Sequence, residues 1–252
     1  MNVYKFGGAS VKNAAGVRNL LDIVTGEKEL FIVVSAMGKT TNALEGVFTA
    51  MQQGDKELAM RLIDEIYTCH RTIINDLMGA DVTIGRVDAF FEELRNIVLE
   101  TIYHESDAEL WYDTIVAFGE LISTTIISNY LNVNGVANYW VDMRRAFLTE
   151  QLHKNASVNI EASEMLLKRE IADSPVSVFV GQGFIGSAPD GTITTLGREG
   201  SDYSAAIVAN VLDADSMVVW KDVDGILNAD PKKFPEAKKI ERLNYMDTIE
   251  MS

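Results

Sequence analysis

The run TTLGREGSDYSAA, residues 194–206, places a cation, an anion, a glycine, a hydroxyl and a second anion side by side: Arg198, Glu199, Gly200, Ser201 and Asp202. That order suits a ligand carrying both signs of charge. A guanidinium offers a planar fork to a carboxylate, while acids such as Glu120 and Asp202 can hold an ammonium group. An α-amino acid needs this mixed set. Gly200 and Ser201 open an apolar helical pattern, DYSAAIVANVL, and a helix start presents backbone N–H groups to anionic oxygens. The plainer alternative is that Ser201 or Asp202 caps this helix and Arg198 forms a surface ion pair. These residues alone leave both readings open.

A second group suits phosphate. KFGGAS, residues 5–10, puts Lys5 near the end of a strand-like run, followed by Gly7, Gly8 and a helical pattern. Glycines let backbone N–H groups approach oxygens, the lysine supplies a full charge, and the following helix is expected to add its N-terminal potential. Ser35, Thr41 and Asn42 follow the next strand, where hydroxyls can meet a ligand or cap a helix. In AFGELIST, Gly119-Glu120 interrupts a helical stretch, and glycine there permits close approach of another element. The stretch 220–240, WKDVDGILNADPKKFPEAKKI, carries Asp222, Asp224, Lys232 and Lys233, which suit a nucleotide or simply a polar hairpin loop.

Two motifs mislead. GQGFIG, residues 181–186, has dinucleotide-fingerprint spacing, but SAPDGTITTLG follows in place of the required helix, so a tight backbone turn is the better reading. MGKTT, residues 37–41, resembles the end of a P-loop, yet Val33 stands where the cradle needs glycine, which leaves Lys39 as a solvated loop residue. His70, His104 and His153 lack metal-ligand spacing and read as surface or core residues; no metal site is expected. Cys69, the single cysteine, reads as an inert small hydrophobe.

These residues need a scaffold. VYKF, LFIVV, ANYWV, VSVFV, TITTL and SMVVW read as strands. Between them lie helical patterns at VRNLLDIV, Lys56 to Met78, Val87 to Tyr103, 108–131, EASEMLLKREIA and DYSAAIVANVL. Alternation of this kind predicts a mostly parallel sheet covered on both faces, interrupted by a helical insert from about 45 to 131. With 252 residues, 47% hydrophobic and 4 prolines, the chain suits one domain, bilobal at most. Its net charge of −15 argues against nucleic-acid or membrane-surface partners. No apolar run of the roughly 18 residues that cross a bilayer is expected. One cysteine and an N-terminus unlike a signal peptide point to a reducing cytoplasm.

KFGGAS, VSAMGKTTN, FGELIS, QGFIG, TTLGREGSDYSA and WKDVDGILNADP occur in the order found in aspartate kinases, so nearly the whole chain resembles that branch of the amino-acid kinases. The resemblance implies a three-layer αβα sandwich on a mostly parallel eight-stranded sheet. It implies ATP-dependent phosphorylation of the L-aspartate side chain to 4-phospho-L-aspartate, an early step toward lysine, threonine and methionine, with Mg²⁺ accompanying ATP. Lys5 and Asp202 match the catalytic pair. Thr41, Glu120, Arg198, Glu199, Gly200 and Ser201 match the aspartate-binding set. Lys5, Phe6, Gly7, Gly8, Lys221, Asp222, Leu227 and Lys232 match the nucleotide-binding set. Members commonly carry threonine at position 9, glycine or asparagine at 199, threonine at 221, tyrosine at 227 and arginine at 232. The resemblance also implies that residues 1–252 are a catalytic domain stopping short of a further ATP-binding lysine motif and of C-terminal ACT domains, with room for a homo-oligomer. The rival readings are another amino-acid kinase, or a non-catalytic effector-sensing or assembly subunit that keeps the fold.

Overall fold

Strand LFIVV has no polar residue, and a strand of that kind must be covered on both faces. In the computed structural model, which describes residues 1–221, 223, 225–231, 233–244 and 246–248, it is strand β2 (Leu30–Val34), buried along its whole length. Its neighbours are β1 (Asn2–Phe6) and β4 (Val178–Gln182), with β3 (Tyr139–Val141) and β7 (Ser216–Trp220) at the edges, in the order β3-β4-β2-β1-β7. Every pairing in this sheet is parallel. A separate antiparallel ribbon joins β5 (Ile185–Ser187) to β6 (Ile193–Thr195). The expectation of eight strands in one sheet is therefore corrected to five among the described residues.

Alternation along β2 divides the core. Leu30, Ile32 and Val34 pack under α1 (Ala14–Val24), α2 (Thr40–Gln52), α3 (Lys56–Met78), α4 (Gly85–Glu100), α5 (Ala108–Val116) and α6 (Phe118–Val133). Phe31 and Val33 face the other layer, with α7 (Met143–Ala146), α8 (Ile160–Ala172) and α9 (Gly200–Val211). The result is three layers, αβα. The chain divides into two compact units, Met1–Trp220 and Lys221–Ser252. All elements named so far belong to the first. In the second, Leu227 bridges Lys239 in antiparallel fashion, the hairpin alternative for this stretch.

Several local expectations change. Gly8–Val11 form a single 3-10 turn, and α1 starts only at Ala14, where the Asn13 side chain accepts from the Gly16 N–H. No α-helix N-terminus therefore follows Gly8 directly. The helix carrying Glu120 runs unbroken through Gly119; the break lies at Ala117, between α5 and α6. The stretch Glu105–Val133 is long and apolar enough to cross a membrane, contrary to expectation, but its apolar window is 89% buried inside the fold and serves the core. Cys69 is exposed rather than packed. His70 is buried, its Nδ1 2.8 Å from the Ile66 carbonyl.

Candidate active site

Parallel register brings four strand ends to one level: Phe6 pairs with Val34 and Trp220, and Val34 with Gln182. Loops leaving the carboxyl ends of β1, β2 and β4 thus converge, where ligands of open α/β sheets usually bind. A cleft of about 330 Å³ opens there, lined by Lys5, Gly8, Ser35, Ala36, Gly38, Thr41, Glu120, Phe184, Gly197, Glu199, Gly200, Ser201 and Asp202.

Lys5, only 6% exposed, points its Nζ to 2.7 Å from Asp202 Oδ1. A buried ammonium needs such a counter-charge, because desolvation alone would favour its neutral form. Glu120 is 3% exposed, and its Oε1 accepts from the Ala36 N–H at 2.9 Å. Oε2 is equally buried and has no hydrogen-bond donor among the described residues. Burial pushes this carboxyl up to about 8, against the opposing pull of backbone N–H groups and the Lys5 charge. Ser123 donates to the Ser35 carbonyl at 2.8 Å, tying α6 to the loop after β2.

Close approach shapes the walls. A Cβ on Gly8 would lie 2.6 Å from the Ala36 carbonyl oxygen, and one on Gly119 would lie 2.8 Å from Ala36 Cβ. A Cβ on Gly183 would sit 2.6 Å from Ser201 Oγ, so the GQGFIG glycine lets β4 reach the start of α9. No helix follows that motif; the β5–β6 ribbon does. Glu199, the residue preceding α9, has φ 56° and ψ 22°. This left-handed conformation is costly for a residue with a Cβ and accessible to glycine or asparagine, the types the resemblance expects at this position.

Other expected residues stand apart. Phe6 is 1% exposed and its ring stacks on Trp220 at 6.1 Å, so its side chain belongs to the core and only its backbone borders the phosphate loop. Gly7 lies outside the lining set, although a Cβ there would come within 3.6 Å of Lys5 Nζ. Arg198 is exposed in the turn before α9 and does not line the cleft, because the turn between the left-handed Gly197 and Glu199 leaves it at the surface. Asn42 and Lys39 are exposed. Thr40 opens α2 and donates its hydroxyl to the Met37 carbonyl at 2.6 Å instead of capping. Lys221 and Leu227 belong to the second unit, and Asp222 and Lys232 lie outside the described residues. Ala36, Gly38, Phe184 and Gly197 join the cleft without having been singled out. Phe184 is left-handed, φ 71°, and its N–H is taken by Ser204 Oγ at 2.9 Å, a placement that no local pattern announces.

A parallel sheet with a glycine loop, a buried lysine and paired acids at its carboxyl edge is a phosphotransferase-like arrangement. The chain belongs to the amino acid kinase family, whose sequence model matches residues 1–252. It is 31% identical to the maize chloroplastic bifunctional aspartokinase/homoserine dehydrogenase 1, covering 100% of this chain and 28% of that protein. It is 30% identical to lysine-sensitive aspartokinase 3 of Escherichia coli, covering 99% of this chain and 55% of that one. The chain thus spans about half the bacterial relative, and less of the plant one. The crystal structure of E. coli aspartokinase III in complex with aspartate and ADP superposes with a TM-score of 0.82 at 30% identity, over 95% of this chain and 53% of that chain.

Proposed function

We propose that this chain is the catalytic part of an ATP-dependent aspartate kinase, converting L-aspartate and ATP to 4-phospho-L-aspartate and ADP. One observation carries the reading: the bare, buried Oε2 of Glu120 shares a cleft with the Lys5–Asp202 ion pair. A buried carboxylate oxygen without a donor is costly until a cation reaches it, and the substrate ammonium is that cation. Similarity to an aspartokinase solved with aspartate and ADP supports the choice of ligands.

Glu120 holds the α-ammonium. Arg198 moves in from solvent onto the α-carboxylate, while Thr41 and Ser201 border the amino acid. These grips fix how far the side-chain carboxylate reaches toward the γ-phosphate; glutamate, longer by one methylene, overshoots. The aspartate carboxylate has a reference pKa of about 3.9 and is already ionised, so no general base is required. Its oxygen attacks the γ-phosphorus while the bond from that phosphorus to the β–γ bridging oxygen breaks, and ADP leaves with the electron pair. No proton moves. Lys5, held by Asp202, neutralises charge on the transferring group, and the Gly8 backbone, which lines the same cleft, borders it.

Among the described residues no three His, Cys, Asp or Glu side chains cluster as metal ligands. Magnesium would arrive with ATP, keep several of its waters and neutralise phosphate charge. The test is ATP-dependent hydroxamate trapping with aspartate, glutamate or no amino acid. Aspartate-dependent hydroxamate is expected; a preference for glutamate, or none formed with aspartate, overturns the reading.

A further inference from the structure

We propose that Asp113 is a positioning residue that couples the Glu120 side of the cleft to the Arg198–Asp202 side; the proposal rests on the kinase reading of that cleft. Asp113 lies on α5, outside the cleft lining, and is 0% exposed. Its Oδ2 accepts from the Thr195 N–H at 3.1 Å, the Lys154 N–H at 2.9 Å and His153 Nδ1 at 3.0 Å. Its Oδ1 accepts from the Thr195 hydroxyl at 2.6 Å. A carboxylate buried with this many donors is fully satisfied, and its partners come from two distant segments. Burial pushes the Asp113 carboxyl up, and the bonds from Thr195, Lys154 and His153 oppose the shift.

Both segments lead to the cleft. Thr195 ends β6 and stands immediately before the turn carrying Arg198 and the start of α9. The 153–156 segment presses on the same turn. Ala156 N–H donates to the Thr195 carbonyl at 2.9 Å, and a Cβ on Gly197 would meet Asn155 Oδ1. In the other direction Asp113 connects rigidly to Glu120. The Ala117 N–H donates to the Asp113 carbonyl and the Leu121 N–H to the Ala117 carbonyl, both at 3.2 Å, so helical hydrogen bonding continues across the break between α5 and α6. Asp113 therefore fixes the spacing between the group that grips the ammonium and the turn that offers the carboxylate fork.

The chemistry distinguishes positioning from mere packing. In Asp113→Asn the amide oxygen can accept from the three N–H donors while the amide nitrogen donates to the Thr195 hydroxyl, so the variant is expected to fold. The lost charge weakens the hold on 195–202. Thr195→Val removes only the hydroxyl contact. Both variants should raise the KM for aspartate, Asp113→Asn by about tenfold as the spacing of the two grips on the amino acid is lost, with the KM for ATP unchanged. The double variant should be no worse than Asp113→Asn alone, because both act through one link. Amide hydrogen exchange supplies a readout independent of activity: Asp113→Asn should speed exchange at 197–203 and leave α3 and α8 unchanged. A chain without aspartate kinase activity would remove the proposed function, whereas the exchange measurement would still decide the coupling. Unchanged exchange at 197–203, or equal changes in the two KM values, overturns the proposal.

Discussion

Two buried carboxylates, Asp113 and Glu120, sit two turns apart on nearly continuous helix, and the protein treats them oppositely. Asp113 receives donors on both oxygens from Thr195, Lys154 and His153. Glu120 accepts from the Ala36 N–H on Oε1 and feels its own backbone N–H, while no hydrogen bond reaches Oε2 among the described residues. The satisfied acid joins segments, and the unsatisfied one awaits a cation. Burial by itself marks neither as functional; the difference in donors does.

The largest expected effect concerns stability against pH. Glu120 has a folded-state pKa of about 8 against 4.5 for the free side chain, so between these values the folded state binds the extra proton. Stability contributed by the neutral form is present below about pH 4.5 and is lost as pH rises toward 8, by a few kcal/mol on the order given by linkage. Glu120→Gln should flatten this slope in denaturant titrations and be more stable than the parent at pH 8. The Asp113 carboxyl is pushed up as well, so its pH slope has the same sign. Asp113→Asn should nevertheless be less stable than the parent at every pH, because a buried amide N–H replaces the oxygen that accepts from the Thr195 hydroxyl. Two variants shifting in the same direction would break the comparison.

Next comes Lys5, whose charge opposes the rise of the Glu120 carboxyl. Lys5→Ala should lower kcat by a hundredfold or more, about 3 kcal/mol, with less change in substrate binding. Near-normal turnover would remove Lys5 from the chemistry. Arg198→Ala should raise the KM for aspartate by an amount worth about 2 kcal/mol, typical of a hydrogen bond to a charged group, and leave the KM for ATP alone. Lysine in its place should rescue only partly, lacking the bidentate fork. A defect confined to ATP would assign the arginine to the other ligand. The smallest effect is Glu199→Asn, which relieves a left-handed residue and should gain about 1 kcal/mol or less, read as a small rise in Tm.

Legibility in the sequence followed physical locality. Strand β7 and helix α3 appear at the bounds their patterns predict, since β-branched runs and 3.6-residue periodicity are local signals. Strand β5, Ile185–Gly186–Ser187, carries little strand propensity and exists through pairing with β6. The break at Ala117 is equally silent, alanine being the best helix former. Lys5, Gly8, Thr41, Glu120 and residues 199–202, all carried by motifs visible in the sequence, line one cleft. Asp113 went unread because its partners lie some 40 and 80 residues away and only the folded chain brings them together. The exposure of Arg198 and the burial of Phe6 depend likewise on tertiary placement.

The central claim is that Glu120 Oε2 receives the substrate ammonium. Burial pushes the Glu120 carboxyl up to about 8, which favours its protonated form at pH 7, and pairing with an ammonium favours loss of that proton. Calorimetry of aspartate binding with ADP present, repeated in buffers of different ionisation enthalpy, counts protons released. The account predicts net proton release on aspartate binding at pH 7 from the parent protein, and none from Glu120→Gln. No proton released by the parent protein, or equal release by both, would contradict it.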